Sequence, residues 1–150
     1  MSHRQPSPED VDPRSVRALV DTSALLALAN GRDQWHARAV QAARGHEAAG
    51  GRYVGTVTVL AEFHARVLYI RGPGAAREAV GRLLADPVHE WLAVTPDVVH
   101  HAHSGWLVKY PDQAFSLTDA ISFETMRRAR VTHAFAFDRH FEVAGFKLIG

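Results

Sequence analysis

The stretch VRALVDTSALLALA, residues 16–29, joins a short apolar run directly to a helical pattern. Val16–Val20 predicts a buried strand that ends at Asp21, and Thr22–Ala29 predicts a helix that terminates at Asn30. A buried strand that passes straight into a helix is the building unit of α/β folds. The sequence therefore predicts an α/β domain that begins with this unit.

The same alternation of strand and helix continues through the rest of the chain. Further strands are predicted at residues 52–56, 90–94, 132–137 and 147–149, and further helices at 34–49, 57–70, 75–85, 96–110 and 116–128. We expect one α/β domain over residues 15–150, with four or five mostly parallel strands between two helical layers. Residues 1–14 are polar, contain three prolines and are predicted to form a flexible tail. Ligands of such sheets bind beyond the carboxyl ends of the strands.

Composition narrows the possible functions. The length of 150 residues fits one domain, and the absence of cysteine excludes disulfides, thiolate zinc sites and cysteine nucleophiles. The 17 basic and 16 acidic residues give a formal net charge of +1, so net charge alone does not indicate a nucleic-acid-binding protein. No apolar stretch approaches the ~18 residues of a membrane span, and the N-terminus lacks a signal-peptide pattern. We expect a cytoplasmic protein that does not bind membranes.

Four acidic residues lie beside segments that are predicted to be buried. Asp21 and Asp138 directly follow strands. Asp119 occupies the first turn of a helix, and Glu62 interrupts an apolar helical run. Taken singly, each acid has a structural explanation as a helix cap, a partner of the helix dipole or half of a salt bridge. Taken together, they indicate a shared cation, because buried carboxylates require a partner and all-oxygen ligation suits Mg²⁺ or Mn²⁺.

Several segments resemble the PIN-domain family, and in particular VapC-type toxin ribonucleases. The segments that carry this resemblance, in chain order, are LVDTSAL (19–25), TVTVLAEF (56–63), FSLTDAISFETMRR (115–128), AFAFDRHF (134–141) and AGF (144–146). The resemblance covers roughly residues 16–149, and the two longest C-terminal segments are its most specific part. It implies a PIN-like α/β/α fold and a metal-dependent endoribonuclease that hydrolyses RNA phosphodiester bonds.

The resemblance also implies which residues form the site. The catalytic, metal-binding acids of the family correspond to Asp21, Glu62, Asp119 and Asp138, and the supporting hydroxyl corresponds to Thr22, with Ser23 beside it. We expect Asp21 and Asp119 to contact Mg²⁺ or Mn²⁺ most directly. The other two acids would complete the site directly or through water.

Basic side chains near the site have two interpretations. Arg127 and Arg128 end a helix, where positive charge complements the helix dipole, and Arg139 follows Asp138. Alternatively, the three arginines bind the RNA backbone, since guanidinium groups pair well with phosphate oxygens. His140 is expected to be a surface side chain, with a substrate contact as the alternative, and Glu124 is expected to be structural.

The resemblance further implies partners. The leading hypothesis is the toxin of a type II toxin–antitoxin pair that cleaves tRNA, mRNA or rRNA and is inhibited by a cognate antitoxin protein. The alternatives are a housekeeping PIN nuclease without an antitoxin and a non-catalytic RNA-binding PIN module. A homodimer is expected, with exposed apolar helix faces such as that of Trp106 and Tyr110 as a candidate interface.

Overall fold

The computed structural model describes residues 16–150, so the predicted tail at residues 1–14 lies outside the described residues. The five strands are β1 (Arg17–Val20), β2 (Arg52–Thr56), β3 (His89–Leu92), β4 (His133–Phe135) and β5 (Lys147–Ile149). The seven α-helices are α1 (Thr22–Ala29), α2 (His36–Ala48), α3 (Val57–Arg71), α4 (Pro73–Ala85), α5 (Pro96–Ala102), α6 (Leu117–Ala129) and α7 (His140–Val143). Within residues 16–150, no helix combines the length and the apolar character that crossing a bilayer requires.

All five strands run parallel in one sheet, in the order β3-β2-β1-β4-β5. This arrangement confirms the predicted α/β class and the fifth strand. The first strand is central, with Leu19 in register with Val54 of β2 on one side and with Ala134 of β4 on the other. The chain therefore leaves β1 toward β2 and later returns to its opposite edge as β4. Ligands of parallel sheets bind at such a switch in strand order, beyond the carboxyl ends.

The sheet separates two apolar cores, because successive side chains of a strand point to opposite faces. On one face, Ala18 and Val20 pack with residues from α1 to α4, including Phe63. On the other face, Leu19 packs with residues from α6 and α7, including Phe123 and Phe141. Fully burying a large side chain of this kind contributes roughly 1.5–3 kcal/mol. The two cores hold β1 and β4 side by side and thereby fix the position of the loops that follow them.

Three predicted elements differ from the structure. The helix predicted to reach residue 110 ends as α5 at Ala102 and continues as one π-helical turn, His103–Leu107. The strand predicted over 90–94 is β3, His89–Leu92, and the strand predicted over 132–137 ends at Phe135. Strand β4 ends before Phe137, whose backbone N–H donates to the hydroxyl of Ser23 instead of to a neighbouring strand.

Trp106 and Tyr110, which were expected to form an exposed dimer surface, pack instead within the chain. Trp106 and Tyr110 stack on each other, with ring centroids 5.9 Å apart, and Trp106 packs against Phe123 at 5.2 Å. Both side chains are half-buried and belong to the core under α6. They therefore stabilise the fold of the monomer and do not form a free apolar face.

Candidate active site

Asp21 lies at the carboxyl end of β1, where it caps α1. Its Oδ2 accepts hydrogen bonds from the backbone N–H of Ser23 at 3.2 Å and from the Ser23 hydroxyl at 2.7 Å. The residue is a helix N-cap, as its position after a strand suggests, and it is also 94% removed from solvent. Among residues 16–150 Asp21 has no basic partner, and a buried acid of this kind indicates a role beyond capping.

Ser23 connects the loop after β1 to the loop after β4. Its hydroxyl donates to Asp21 and accepts from the backbone N–H of Phe137 at 3.1 Å. The backbone N–H of Asp21 donates in turn to the carbonyl of Phe135 at 3.0 Å. These bonds hold Asp21 against the segment that leads to Asp138, so the two acids that follow neighbouring strands share one edge of the sheet.

Asp119 is positioned by the start of α6. Its backbone N–H donates to the hydroxyl of Ser116 at 3.0 Å, and its Oδ2 accepts from the backbone N–H of Ser116 at 3.0 Å. This reciprocal capping box fixes both the start of the helix and the direction of the carboxylate. The side chain is 12% exposed and faces the same site as Asp21.

Asp138 and His140 complete a compact group with Asp119. The backbone N–H of His140 donates to Oδ1 of Asp138 at 2.9 Å. Nδ1 of the His140 ring lies 3.0 Å from Oδ2 of Asp119 and 3.3 Å from Oδ2 of Asp138. One ligand atom from each of the three residues lies within 4.8 Å of the other two. We call these three residues the Asp119–Asp138–His140 cluster.

The position of His140 differs from the surface location that was expected. The histidine lies between two of the predicted acids, and its ring packs edge-on against Phe115 with centroids 5.4 Å apart. The sequence signal for this placement is its spacing, two residues after an acid that itself follows a strand. An acid at that point bends the chain by accepting the backbone N–H two residues later, which returns the histidine toward the sheet edge.

The electrostatics of Asp21 also link it to this group. Burial raises the pKa of Asp21 to about 6, the hydrogen bonds from Ser23 oppose the rise, and the negative charge of Asp119 adds to it. Next to Asp21 in sequence, the Oγ1 atom of Thr22 is buried and has no hydrogen-bond partner within residues 16–150. A divalent cation fits this donor set, because a shared positive charge stabilises a carboxylate that is buried beside another negative charge.

Glu62 is the predicted acid for which the described residues show no contact with the other three. It lies in the second turn of α3, which begins at the carboxyl end of β2 and is capped by the Thr56 hydroxyl. Its side chain is half-buried and makes no hydrogen bond or ion pair within the part of the chain that the structure describes. Glu62 is outside the Asp119–Asp138–His140 cluster.

The three predicted RNA-binding arginines have different environments. Both Arg127 and Arg128 bind the buried carboxylate of Glu124, at 2.6 Å and 2.9 Å, and Arg128 also pairs with Asp97 at 2.9 Å. Arg139 is highly exposed, with one distant pairing to Glu142 at 4.0 Å. The first two guanidinium groups therefore stabilise α6, whereas Arg139 extends into solvent beside the site.

The carboxylate of Glu124 is the centre of this structural network. Hydrogen bonds, first from Arg127 and then from Arg128 and Trp106, together lower the pKa of Glu124 to about 2 despite burial. The indole N–H of Trp106 donates to Glu124 Oε2 at 3.2 Å, which connects the π-helical turn to α6. These contacts explain why an acid is buried in this helix without facing the candidate site.

An open cleft adjoins the cluster. Its walls include Ser23, Trp35, Phe137, Asp138 and Arg139. The Trp35 and Phe137 rings stack with centroids 5.5 Å apart and an interplanar angle of 9°. A separate cavity of about 260 Å³ between α1, α3 and α4 contains none of the predicted site residues. The cleft shares Asp138 and His140 with the cluster, so these two side chains are open to solvent on this side.

The described fold and site can be compared with known proteins. The sequence profile of the PIN domain family matches residues 18–147. The 23S rRNA-specific endonuclease VapC20 from two Mycobacterium tuberculosis strains, CDC 1551 / Oshkosh and H37Rv, is 42% identical over 53 residues. That match spans 35% of this chain and 40% of the length of these relatives.

Two solved structures are also similar. The crystal structure of M. tuberculosis VapC20, described as a Sarcin-Ricin loop cleaving toxin, has a TM-score of 0.77 and is 31% identical, covering 86% of this chain and 95% of that chain. A toxin-antitoxin complex from Klebsiella pneumoniae has a TM-score of 0.60 and is 17% identical, covering 89% of this chain and 96% of that one. The second likeness concerns the fold alone.

Proposed function

Because this chain belongs to the PIN domain family, we propose that it is a metal-dependent endoribonuclease and the toxin of a type II toxin–antitoxin pair. The observation that supports this function best is the pairing of Asp119 with Asp138 in one cluster. Asp21 is held beside them by Ser23, which also binds the loop leading to Asp138, and the charge of Asp119 acts on it. They meet where the strand order reverses around β1, which is the place where α/β sheets bind ligands. Their chemistry suits a hard divalent ion.

We assign Mg²⁺ or Mn²⁺ to the carboxylates of Asp21, Asp119 and Asp138, with Glu62 contributing through water. When bound, such an ion activates water and offsets the negative charge of a phosphodiester. The protein supplies the orientation of the carboxylates. Ser23 holds Asp21, the capping box holds Asp119, and the turn at Asp138 holds that acid beside them. Within residues 16–150 the buried hydroxyl of Thr22 has no hydrogen-bond partner, which leaves it able to bind a water at the site.

The open cleft provides a path for single-stranded RNA. Its stacked Trp35 and Phe137 rings present an apolar surface of the kind on which unpaired bases stack. Arg139 lies on the same cleft, where its exposed guanidinium group can pair with a backbone phosphate. We propose that an RNA loop enters here and places its phosphodiester next to Asp138.

The names of the similar proteins suggest which RNA is the substrate of this chain. The M. tuberculosis protein is named as specific for 23S rRNA and described as cleaving the Sarcin-Ricin loop. We propose 23S rRNA as the substrate of this chain, ahead of tRNA and mRNA, and a cognate antitoxin protein as its inhibitor. The protein is also proposed to act as a homodimer in the cytoplasm.

The function is tested by incubating the purified chain with a Sarcin-Ricin loop oligonucleotide, a tRNA and an mRNA. Each RNA is supplied with Mg²⁺, with Mn²⁺ or with EDTA. The proposal expects cleavage at a defined position of the rRNA loop with either metal and none with EDTA. Cleavage of the tRNA or the mRNA instead would mean that the proposed substrate is wrong. Binding of RNA without cleavage would indicate that the chain is a non-catalytic RNA-binding module.

A further inference from the structure

The Asp119–Asp138–His140 cluster contains one side chain that the acidic quartet does not include. We propose that Nδ1 of His140 is itself a ligand of the divalent ion, together with Asp119 and Asp138. This inference rests on the proposed function, because it names an additional ligand in the same site. It makes the site one of mixed oxygen and nitrogen donors.

The spacing of the donor atoms supports the assignment. Nδ1 of His140 lies 3.0 Å from Oδ2 of Asp119 and 3.3 Å from Oδ2 of Asp138. In an octahedral site with bonds of 2.0–2.1 Å, neighbouring ligand atoms lie roughly 3 Å apart. The observed separations are therefore those of adjacent ligands around one small ion.

The ring of His140 is held in this direction by two contacts that involve no metal. Its backbone N–H donates to Oδ1 of Asp138 at 2.9 Å, which fixes the turn from which the side chain projects. Its ring packs edge-on against Phe115, at an interplanar angle of 78°. The turn and the packing against Phe115 thus orient the imidazole before an ion arrives.

A nitrogen ligand changes the ion preference of the site. Carboxylate and water ligands suit Mg²⁺, whereas imidazole favours transition ions, and Mn²⁺ is the transition ion closest to Mg²⁺ in its other preferences. We therefore expect His140→Asn, which offers an amide oxygen, to lower the affinity for Mn²⁺ by about tenfold or more. Mg²⁺ affinity is expected to fall less, because Mg²⁺ prefers oxygen.

Pulsed electron paramagnetic resonance of bound Mn²⁺ tests the proposal directly. The full chain is prepared with ordinary and with ¹⁵N-labelled histidine, and no RNA is needed. We expect a nuclear coupling from directly bound nitrogen that changes with the histidine label. Bound Mn²⁺ without such a coupling would overturn the proposal, and so would an absence of Mn²⁺ binding.

A matched pair of variants identifies the histidine. His64 is the other histidine two residues from a proposed site acid, so His64→Asn is the control for His140→Asn. The coupling should disappear in His140→Asn and persist in His64→Asn, and the reverse result would contradict the assignment. RNA cleavage by the unmodified chain, measured separately, distinguishes failure of this ligand from failure of the nuclease function.

Discussion

The hydroxyl of Ser23 lies 2.7 Å from Oδ2 of Asp21 and donates a hydrogen bond to it. The same oxygen accepts the backbone N–H of Phe137 at 3.1 Å. One small side chain therefore determines how the acid after β1 is positioned relative to the loop after β4. The geometry of the proposed metal site depends on this link, since Asp138 follows Phe137 directly.

Removing the Ser23 hydroxyl should weaken both the fold and the metal site. Ser23→Ala leaves the N–H of Phe137 without its acceptor and removes a bond that lowers the pKa of Asp21. We expect a loss of about 1–2 kcal/mol in the free energy of unfolding, measured by urea denaturation, and weaker Mn²⁺ binding. Ser23→Thr, which keeps the hydroxyl, is the control, and equal metal affinity in all three proteins would contradict the role assigned to Ser23.

Asp21→Asn should stabilise the metal-free protein. Folding raises the pKa of Asp21 from 3.8 to about 6, so the folded state binds a proton that the unfolded state has lost between these values. The free energy of unfolding therefore falls as the pH rises from about 4 to about 6. Near pH 7.5 in EDTA, the substitution should add up to about 3 kcal/mol, because it removes this penalty and preserves the N-cap.

The same substitution should have the opposite effect when metal is present. Saturating Mn²⁺ should raise the melting temperature of the native chain much more than that of Asp21→Asn, because the ligand is missing in the variant. At pH 4 without metal, the two proteins should have similar stability. A lower stability of Asp21→Asn than of the native chain in EDTA at pH 7.5 would show that the buried carboxylate does not destabilise the metal-free protein.

Glu124→Gln should reduce stability without changing the chemistry. The folded-state pKa of Glu124 is about 2 against 4.5 unfolded, so its contribution is complete above pH 4.5 and is lost as the pH falls toward 2. We expect the substitution to cost about 2–4 kcal/mol at neutral pH, measured by denaturation, because it breaks a buried ion-pair network.

The rate of RNA cleavage per folded molecule should change little in Glu124→Gln. Asp97→Asn is its control, because this exposed acid pairs with the same Arg128 and should affect stability far less. A large fall in kcat at temperatures where Glu124→Gln is fully folded would mean that Glu124 takes part in catalysis.

Arg139→Glu should weaken RNA binding. Arg139 lies exposed on the cleft, so reversing its charge should raise KM several-fold at low ionic strength and leave kcat nearly unchanged. The effect should shrink as salt is added. Arg77→Glu on the exposed side of α4 makes the same change in net charge, and an equal rise in KM there would show that Arg139 has no specific contact.

The sequence predicts much of the fold because strand and helix patterns are local. It also predicts that Asp21 and Asp138 share an edge, since each follows a strand and the strands are parallel. The direction of the His140 side chain is harder to predict from the sequence, because it depends on a turn and on packing against Phe115 from a distant loop.

Two helices show the same difference between features set by local sequence and features set by tertiary packing. The spacing of Glu124 with Arg127 and Arg128 at i+3 and i+4 is a sequence signal for the ion pairs that the structure contains. The place of Glu62 relative to the other acids depends instead on how α3 is rotated against the sheet. That rotation is set by packing of Val59, Phe63 and Val67 rather than by local pattern.

We propose that the carboxylates at this sheet edge carry metal-dependent RNA cleavage. The most direct measurement is the cleavage rate of a Sarcin-Ricin loop oligonucleotide with Mn²⁺ for Asp119→Asn and for Asp112→Asn, the same change at an exposed turn. We predict that Asp119→Asn lowers the rate at least about a hundredfold and Asp112→Asn leaves it unchanged. Equal cleavage by the native chain and the folded Asp119→Asn protein would show that these carboxylates do not carry the reaction.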